Sequence, residues 1–368
     1  IKVKNKKIPI LRVNNIRLFL GRCCEIFYQD KPKNIIAVTG TNGKSSVADF
    51  YCQILTMLNT PVASIGTLGI KINNRLKKKN NLTSLDIISL HKELSIIKKK
   101  NINYVILEAS SHGLVQSRLN GVEFKCGIFT NFSQDHLDYH KSMQNYLSAK
   151  LILFNNLLKR KKYLITNNSI KEFSKLKKIV KKKKFNLLTI GGNLSTIKVI
   201  SNYNESIYQN ITFEYKKKKY YIKVPLVGLF QIENLLMALL AAISCKFNID
   251  QILPRLKKIK EVSGRLELVR ILPNKTKVFV DFAHTPDAMK KTILTLREQY
   301  NKKPELIFGC GGERDQKKRP LMAKISEELC NKIYITDDNP RNENPKLIRK
   351  MIIDAFKDKS KIFEIPFR

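Results

Sequence analysis

The sequence predicts an α/β fold: a central domain around a mostly parallel sheet, followed by a smaller Rossmann-like α/β domain. Three observations carry the prediction. An apolar run, Ile35-Ile36-Ala37-Val38, passes through a glycine-bearing loop straight into a helix-like stretch, Val47 to Tyr51. Two further apolar runs, Asn103–Leu107 and Cys126–Thr130, follow as the chain alternates strand and helix to about residue 154. A second alternation starts near Gly264, with strands at Lys277–Val280, Glu305–Phe308 and Lys332–Thr336. Such alternation builds parallel sheets, whose strands are covered on both faces and read as continuous apolar runs.

Between the two alternating regions, residues 155–224 are lysine-rich and read as shorter strands and turns, with Gly191-Gly192 and a strand at Tyr220–Val224. A helix from about Gln231 to Cys245 follows. A chain of 368 residues exceeds one ordinary core, and 43% hydrophobic residues suffice to fold more than one. The boundary is expected near residues 262–266.

The formal charge of +39 raises the possibility of a nucleic-acid-binding protein, the competing class. Of 69 basic residues, however, 54 are Lys and only 15 are Arg, the better reader of phosphates and bases. The lysines cluster at Lys77–Lys79, Lys98–Lys100, Lys181–Lys184 and Lys216–Lys219, between apolar segments, as solvated loops and turns do. Phe and Tyr seldom fall inside these runs. A coding bias toward A/T-rich codons accounts for the charge, and no specific nucleic-acid partner is expected. Seven cysteines (Cys23, Cys24, Cys52, Cys126, Cys245, Cys310, Cys330) show no Cys-x-x-Cys spacing and fit reduced thiols in a cytoplasmic protein. No segment is apolar for long enough to span a membrane. The chain begins with Ile1, so a fragment or a processed product is expected.

The loop Val38-Thr39-Gly40-Thr41-Asn42-Gly43-Lys44-Ser45-Ser46 is the strongest chemical signal. Between strand and helix, its glycines aim backbone N–H groups at phosphate oxygens, and the helix N-terminus adds partial positive charge. Lys44 is placed to reach terminal phosphates and Ser45 to ligate magnesium. The general pattern puts its first glycine at position 38, which is valine here, with a glycine instead at 40. A plain strand-to-helix turn leaves Lys44 unexplained.

Ligands of parallel sheets bind beyond the carboxyl ends of the strands, so residues 38–46, 108–112 and 130–136 converge on one crevice. Glu108 ends a buried strand beside the phosphate loop, where a carboxylate binds magnesium; its alternative is a helix N-terminal acid followed by serine caps. His136 and His140 have the i, i+4 spacing of a zinc helix, but Leu137 stands where a metalloprotease needs Glu. The crevice position directs His136 to the metal and leaves His140 structural.

Together these words resemble the Mur ligase family. The resemblance runs over about residues 34–349 through Thr39–Lys44, Glu108–Arg118, Asp135–His140, Ala149-Lys150, Gly264-Arg265, Asp281–Asp287, Gly309–Asp315 and Asp338–Arg341, in family order. The last two most resemble the branch that adds meso-diaminopimelate to UDP-N-acetylmuramoyl-L-alanyl-D-glutamate. The resemblance implies a cytoplasmic, monomeric, ATP-dependent acid–amino-acid ligase of peptidoglycan precursor synthesis, acting through an acyl phosphate. A folylpolyglutamate-type or other ligase of the same family is the nearer alternative, and a basic nucleic-acid binder with a relict nucleotide site the more distant one.

It also implies roles. Gly40, Thr41, Asn42, Gly43, Lys44, Ser45, Ser46, Asn234, Arg265, Asp281 and His284 would bind ATP. Ser45, Glu108, His136 and Lys150 would hold magnesium, Lys150 as N6-carboxylysine, with Lys44, Lys150 and His136 serving the chemistry. Thr83, Ser84, Ser110, Gln116 and Arg118 would grip the muramoyl dipeptide, although the family usually has two threonines where Thr83-Ser84 stands. Arg314, Asp338, Asn339, Pro340 and Arg341 would recognise diaminopimelate. The implied organisation is a remnant of a uridine-binding domain and linker (1–33), a central ATP-binding P-loop-type domain (34–263) and an incomplete C-terminal domain (264–368) without the family's Gly-Lys-Gly-His-Glu-like segment.

Overall fold

The computed structural model describes residues 11–205 and 207–367. The first ten residues of the expected 1–33 segment lie outside them, as does Arg368 at the end of the expected last domain. Among the described residues, eleven strands form one sheet. From edge to edge they are Lys218–Val224, Tyr208–Tyr215, Ile197–Glu205, Asn186–Gly191, Tyr163–Asn167, Cys126–Phe129, Asn34–Thr39, Tyr104–Glu108, Val62–Gly66, Gly69–Ile72 and Arg75–Lys78. The strands from Val62–Gly66 through Ile197–Glu205 pair in parallel, and antiparallel strands finish both ends.

The central strands are apolar because both faces are covered. Ile36, Val38 and Ile106 join one buried cluster with the helices Lys44–Met57 and Leu229–Ser244. Their neighbours Ile35, Ala37, Val105 and Leu107 face the other way, onto Ile87–Lys99 and the end of Met143–Ile152. Period-two alternation sends successive side chains to opposite layers. Each buried Ile or Leu contributes about 1.5–3 kcal/mol. Helix Leu229–Ser244 is buried almost all round, as its unbroken apolar run requires.

Past Gly264 the chain forms a hairpin, Glu267–Ile271 with Lys277–Val280, and a separate parallel sheet of Leu306–Phe308, Ile333–Thr336 and Ile362–Ile365. Helices Pro286–Tyr300, Lys318–Leu329 and Pro345–Ile353 pack on that sheet through Met289, Ile293, Met322, Ile348 and Ile352. Thr285 caps the first of them, accepting from Ala288 N at 3.2 Å, with Pro286 in the opening turn.

Three expectations are corrected. Lys277–Val280 does not extend the parallel sheet. The connection Leu272–Thr276, with Lys275 at φ 65°, is far too short for a crossover, so the strand folds back antiparallel. Residues 155–224 also contain a helix, Phe173–Lys183. Its apolar positions Phe173, Leu176, Ile179 and Val180 keep a helical period that the intervening lysines obscure. The lysine runs, finally, are mostly not loops. Lys98-Lys99 and Lys181–Lys183 close helices, where cations offset the negative end of the dipole, and Lys77-Lys78 occupy an edge strand. Lys216-Lys217 does form a turn, with both residues at positive φ. No helix of the described residues is long and apolar enough to cross a membrane.

Candidate active site

Two glycines shape the loop after the first central strand. Gly40 lies at φ 143° and Gly43 at φ 84°. A Cβ on Gly40 would sit 1.9 Å from Thr130 Oγ1, and one on Gly43 2.4 Å from Asn234 Oδ1, so no side chain fits at either. Thr41 N donates to Asn131 O at 3.0 Å and Asn42 N to Asn131 Oδ1 at 2.9 Å, tying the loop to the next strand end. Lys44 opens its helix and folds back, Nζ donating to the carbonyls of Gly40 (2.9 Å) and Thr41 (2.8 Å). Ser46 is buried in the same turn.

Lys150 enters from the helix Met143–Ile152 and is 1% exposed. Its Nζ donates to the same Gly40 oxygen at 2.6 Å and stands 4.3 Å above the Tyr146 ring centroid. Burial pushes the Lys150 amine well below its usual range, and the Lys44 charge pushes it further. Lys44 is itself lowered by burial, against the opposing pull of Glu108 and Asp135.

Glu108 ends its strand with both carboxylate oxygens engaged. Oε1 accepts from Ser45 Oγ and Thr67 N, each at 2.9 Å, and Oε2 from Thr67 Oγ1 at 3.2 Å. Gly66 makes room, since a Cβ there would lie 2.2 Å from Oε1. From the C-terminal side, Arg265 donates to Ser45 Oγ at 3.1 Å and stacks 4.6 Å from the Phe282 ring centroid.

Asp135 links the two sides of the cleft. Its Oδ2 is 3.2 Å from His136 Nε2 and 3.5 Å from His284 Nε2. Burial alone would raise the Asp135 carboxyl, but the His284 hydrogen bond and surrounding cations hold it well below the usual range. Burial drives His136 down to about 3, so its imidazole is neutral near pH 7. His140 packs as expected of a structural residue, with Nε2 2.9 Å from Ser111 Oγ and its ring stacked on Tyr146. Among the described residues no group of three His, Cys, Asp or Glu side chains is close enough to hold a metal by itself.

Thr83 Oγ1 lies 3.1 Å from Thr67 Oγ1, and both residues line the cleft with Ser110. Ser84 stands behind them, its Oγ donating to Glu108 O at 2.8 Å and accepting from Ser110 N at 2.9 Å. Arg118 braces Ser84 O at 2.8 Å and is held by Gln116 Oε1 at 3.0 Å. Ser84, Gln116 and Arg118 are thus tied into one hydrogen-bonded group beside Thr83 and Ser110.

Asn234 faces Gly43 from the first turns of its helix. Asp281 braces the turn into the second domain, accepting from Leu266 N (2.6 Å) and Ala283 N (2.7 Å). Beyond it, two loops meet backbone to backbone. A Cβ on Gly309 would lie 2.3 Å from Thr336 O, and one on Gly312 1.9 Å from Pro340 O. Gly312 N donates to Asn339 O at 3.0 Å, and Arg341 NH1 to Gly312 O at 2.7 Å. Arg314, Asp338, Asn339 and Arg341 line the same cleft as the phosphate loop, a space of about 1020 Å³, while Pro340 sets the turn behind them. The sequence reading missed Thr67 and Tyr146. Each is a lone side chain hydrogen-bonded to a partner 41 or 105 residues away, and no local pattern marks it.

A phosphate loop at the carboxyl edge of a parallel sheet, facing a charged turn across one cleft, is the arrangement of an ATP-dependent ligase. The chain belongs to the Mur ligase family: residues 38–242 match the Mur ligase middle domain and residues 264–366 the Mur ligase, glutamate ligase domain. It is 41% identical over 357 residues to a UDP-N-acetylmuramoyl-L-alanyl-D-glutamate--2,6-diaminopimelate ligase of Rickettsia bellii, covering 96% of this chain and 74% of that protein. The like-named protein of Buchnera aphidicola is 38% identical, with 98% and 73% covered. A solved structure of a ligase of that name aligns with TM-score 0.70 at 30% identity, over 98% of this chain and 75% of the other. The Mycobacterium tuberculosis folylpolyglutamate synthase aligns with TM-score 0.77 over 95% and 85%, but at 15% identity it shares the fold alone.

Proposed function

We propose that this enzyme joins meso-diaminopimelate to UDP-N-acetylmuramoyl-L-alanyl-D-glutamate, with ATP converted to ADP and phosphate, in peptidoglycan precursor synthesis. The observation that carries the reading is one cleft with Lys44, Ser45, Glu108 and Lys150 on one wall and Arg314, Asp338 and Arg341 on the other. Amide formation needs an electrophilic carboxyl carbon. The D-glutamyl carboxylate attacks the γ-phosphorus, ADP departs, and the resulting acyl phosphate is attacked by the free amine of diaminopimelate with loss of phosphate. Lys44 exchanges its bonds to Gly40 and Thr41 for the terminal phosphates, and the loop glycines position the chain for in-line transfer.

The donor set fits magnesium. The Ser45 hydroxyl, the Glu108 carboxylate and the neutral His136 imidazole surround the loop, and magnesium takes one or two protein carboxylates with phosphate and water completing its shell. When bound, it supplies charge against the phosphate oxygens. We assign Lys150 as N6-carboxylysine: the amine, whose protonated form burial disfavours, adds carbon dioxide in its neutral form and releases a proton. Two ammonium groups on one carbonyl oxygen repel, whereas a carbamate beside Lys44 attracts it. Across the cleft, Arg341 and Arg314 pair with carboxylates of diaminopimelate and Asp338 with an ammonium.

Phosphate release measured with each substrate omitted in turn tests the assignment. Release that needs ATP, the uridine-linked dipeptide and diaminopimelate together is expected; release that proceeds equally without diaminopimelate overturns it.

A further inference from the structure

We propose that the end of the central sheet opposite the cleft is a docking surface for an anionic lipid bilayer. Five neighbouring strands start within two residues of one another along the sheet. Asn34 pairs with Tyr104, Ile36 with Cys126, Cys126 with Tyr163, and Tyr163 with Asn186. That register aligns the segments feeding these strands in one row, and backbone bonds confirm it: Asn34 N donates to Asn103 O, Lys125 N to Ile35 O, Tyr163 N to Lys125 O and Asn186 N to Lys162 O. The segments are Lys98–Lys100, Lys33, Lys125, Lys159–Lys162 and Lys181–Lys184, with thirteen basic side chains. At ~4.8 Å per strand the row is about 20 Å wide.

Little neutralises it. Glu123 pairs with Lys159 at 3.5 Å and with Lys162 at 3.2 Å, and no other ion pair involves the row among the described residues. Three helices or helical turns end here, and their carbonyl ends attract a cation each within the last turn, which leaves most of the row unexplained. Lys181–Lys184 alone places four cations at the end of one helix, and Lys159–Lys162 four more before the adjacent strand.

Lysine dominates the whole chain, 54 of its 69 basic residues, so it is the alignment of these charges along one end of the sheet, with few arginines among them, that points to the partner. Twelve of the thirteen are lysines, with Arg160 the exception, so bidentate phosphate forks and base readers are scarce. Hydrated lysine charges act instead as a diffuse field toward a plane of anionic headgroups, and such clusters of several lysines suffice for reversible attachment. The row lies a strand length, about 15–20 Å, from the cleft. A protein resting on this end keeps its active-site mouth turned to water, open to soluble substrates.

Sedimentation with vesicles of phosphatidylglycerol and phosphatidylcholine tests the proposal, with ATP affinity as the check on folding. The triple variant Lys99→Glu, Lys161→Glu, Lys182→Glu reverses three charges in the row. The variant Lys216→Glu, Lys217→Glu, Lys219→Glu makes the same net change on the far hairpin. At about 0.15 M salt the first is expected to lose vesicle partitioning about tenfold or more and the second less than about twofold. Equal losses would reduce the effect to net charge and overturn the proposal. So would absence of vesicle binding by the native protein, or row-dependent binding to a single-stranded RNA that vesicles do not displace.

Discussion

Lys44 and Lys150 donate to a single oxygen, the carbonyl of Gly40, at 2.9 and 2.6 Å. Two ammonium groups this close, in a buried loop, are stable together only if one gives up its charge or reverses it. Burial and the Lys44 charge push the Lys150 amine toward the first, and the carbamylation we propose would accomplish the second. Lys44 is then left as the mobile cation of the pair, free to follow the phosphates.

Lys44→Ala removes that cation. ATP turnover is expected to vanish while the circular dichroism spectrum and thermal midpoint stay near native, because the lysine packs at the cleft wall rather than in the core. Turnover that survives would remove Lys44 from the transfer step.

Lys150→Ala is expected to abolish activity, whereas Lys141→Ala, nine residues earlier and exposed, leaves most of it. Mass analysis of the native peptide containing Lys150, kept under bicarbonate, is expected to show one added carboxyl group. A free amine together with full activity would contradict the carbamate.

Arg341→Ala should raise the KM for diaminopimelate and spare that for ATP. Leaving a substrate carboxylate unpaired in a desolvated site costs about 2–5 kcal/mol, roughly thirty-fold or more. L-lysine, which lacks the second carboxylate, is expected to be rejected by the native enzyme. Acceptance of L-lysine would leave only the broader ligase reading.

Gly312→Ala drives a methyl group into Pro340 O, a backbone atom that cannot step aside. The loop and turn that carry Arg314 and Arg341 must separate, so a loss of at least about 2 kcal/mol in stability is expected, together with weaker diaminopimelate binding. A native-like denaturation midpoint would show that the two loops are not rigidly joined.

His140 is buried neutral, pushed down to about 4 chiefly by burial. Between about pH 6.5 and 4 the unfolded chain binds this proton and the folded one does not, so stability falls as pH falls through that window. His140→Gln is expected to flatten the decline of the thermal midpoint between those values. An unchanged slope would assign the acid sensitivity elsewhere.

The central sheet was legible because strands covered on both faces cannot hide their apolar runs: Ile35–Val38 and Asn103–Leu107 announce themselves. Glycine words were equally readable, and Gly40, Gly43 and Gly312 prove to be places where a Cβ meets another atom within 2.4 Å. Pairing partners were less so, since Lys277–Val280 looks the same in a hairpin as in a parallel sheet until the brevity of its connection is weighed. The helix Phe173–Lys183 was masked by lysines at its exposed positions. Thr67 and Tyr146 leave no trace in sequence, because what places them at the site is a partner brought near by folding.

The central claim is that the glutamyl carboxylate is activated by direct transfer of the γ-phosphoryl group. Substrate labelled with heavy oxygen in that carboxylate tests it most directly, by mass analysis of the released phosphate. One labelled oxygen per phosphate, appearing only when diaminopimelate is present to complete the reaction, is the predicted result. Unlabelled phosphate accompanying normal amide formation would contradict the account.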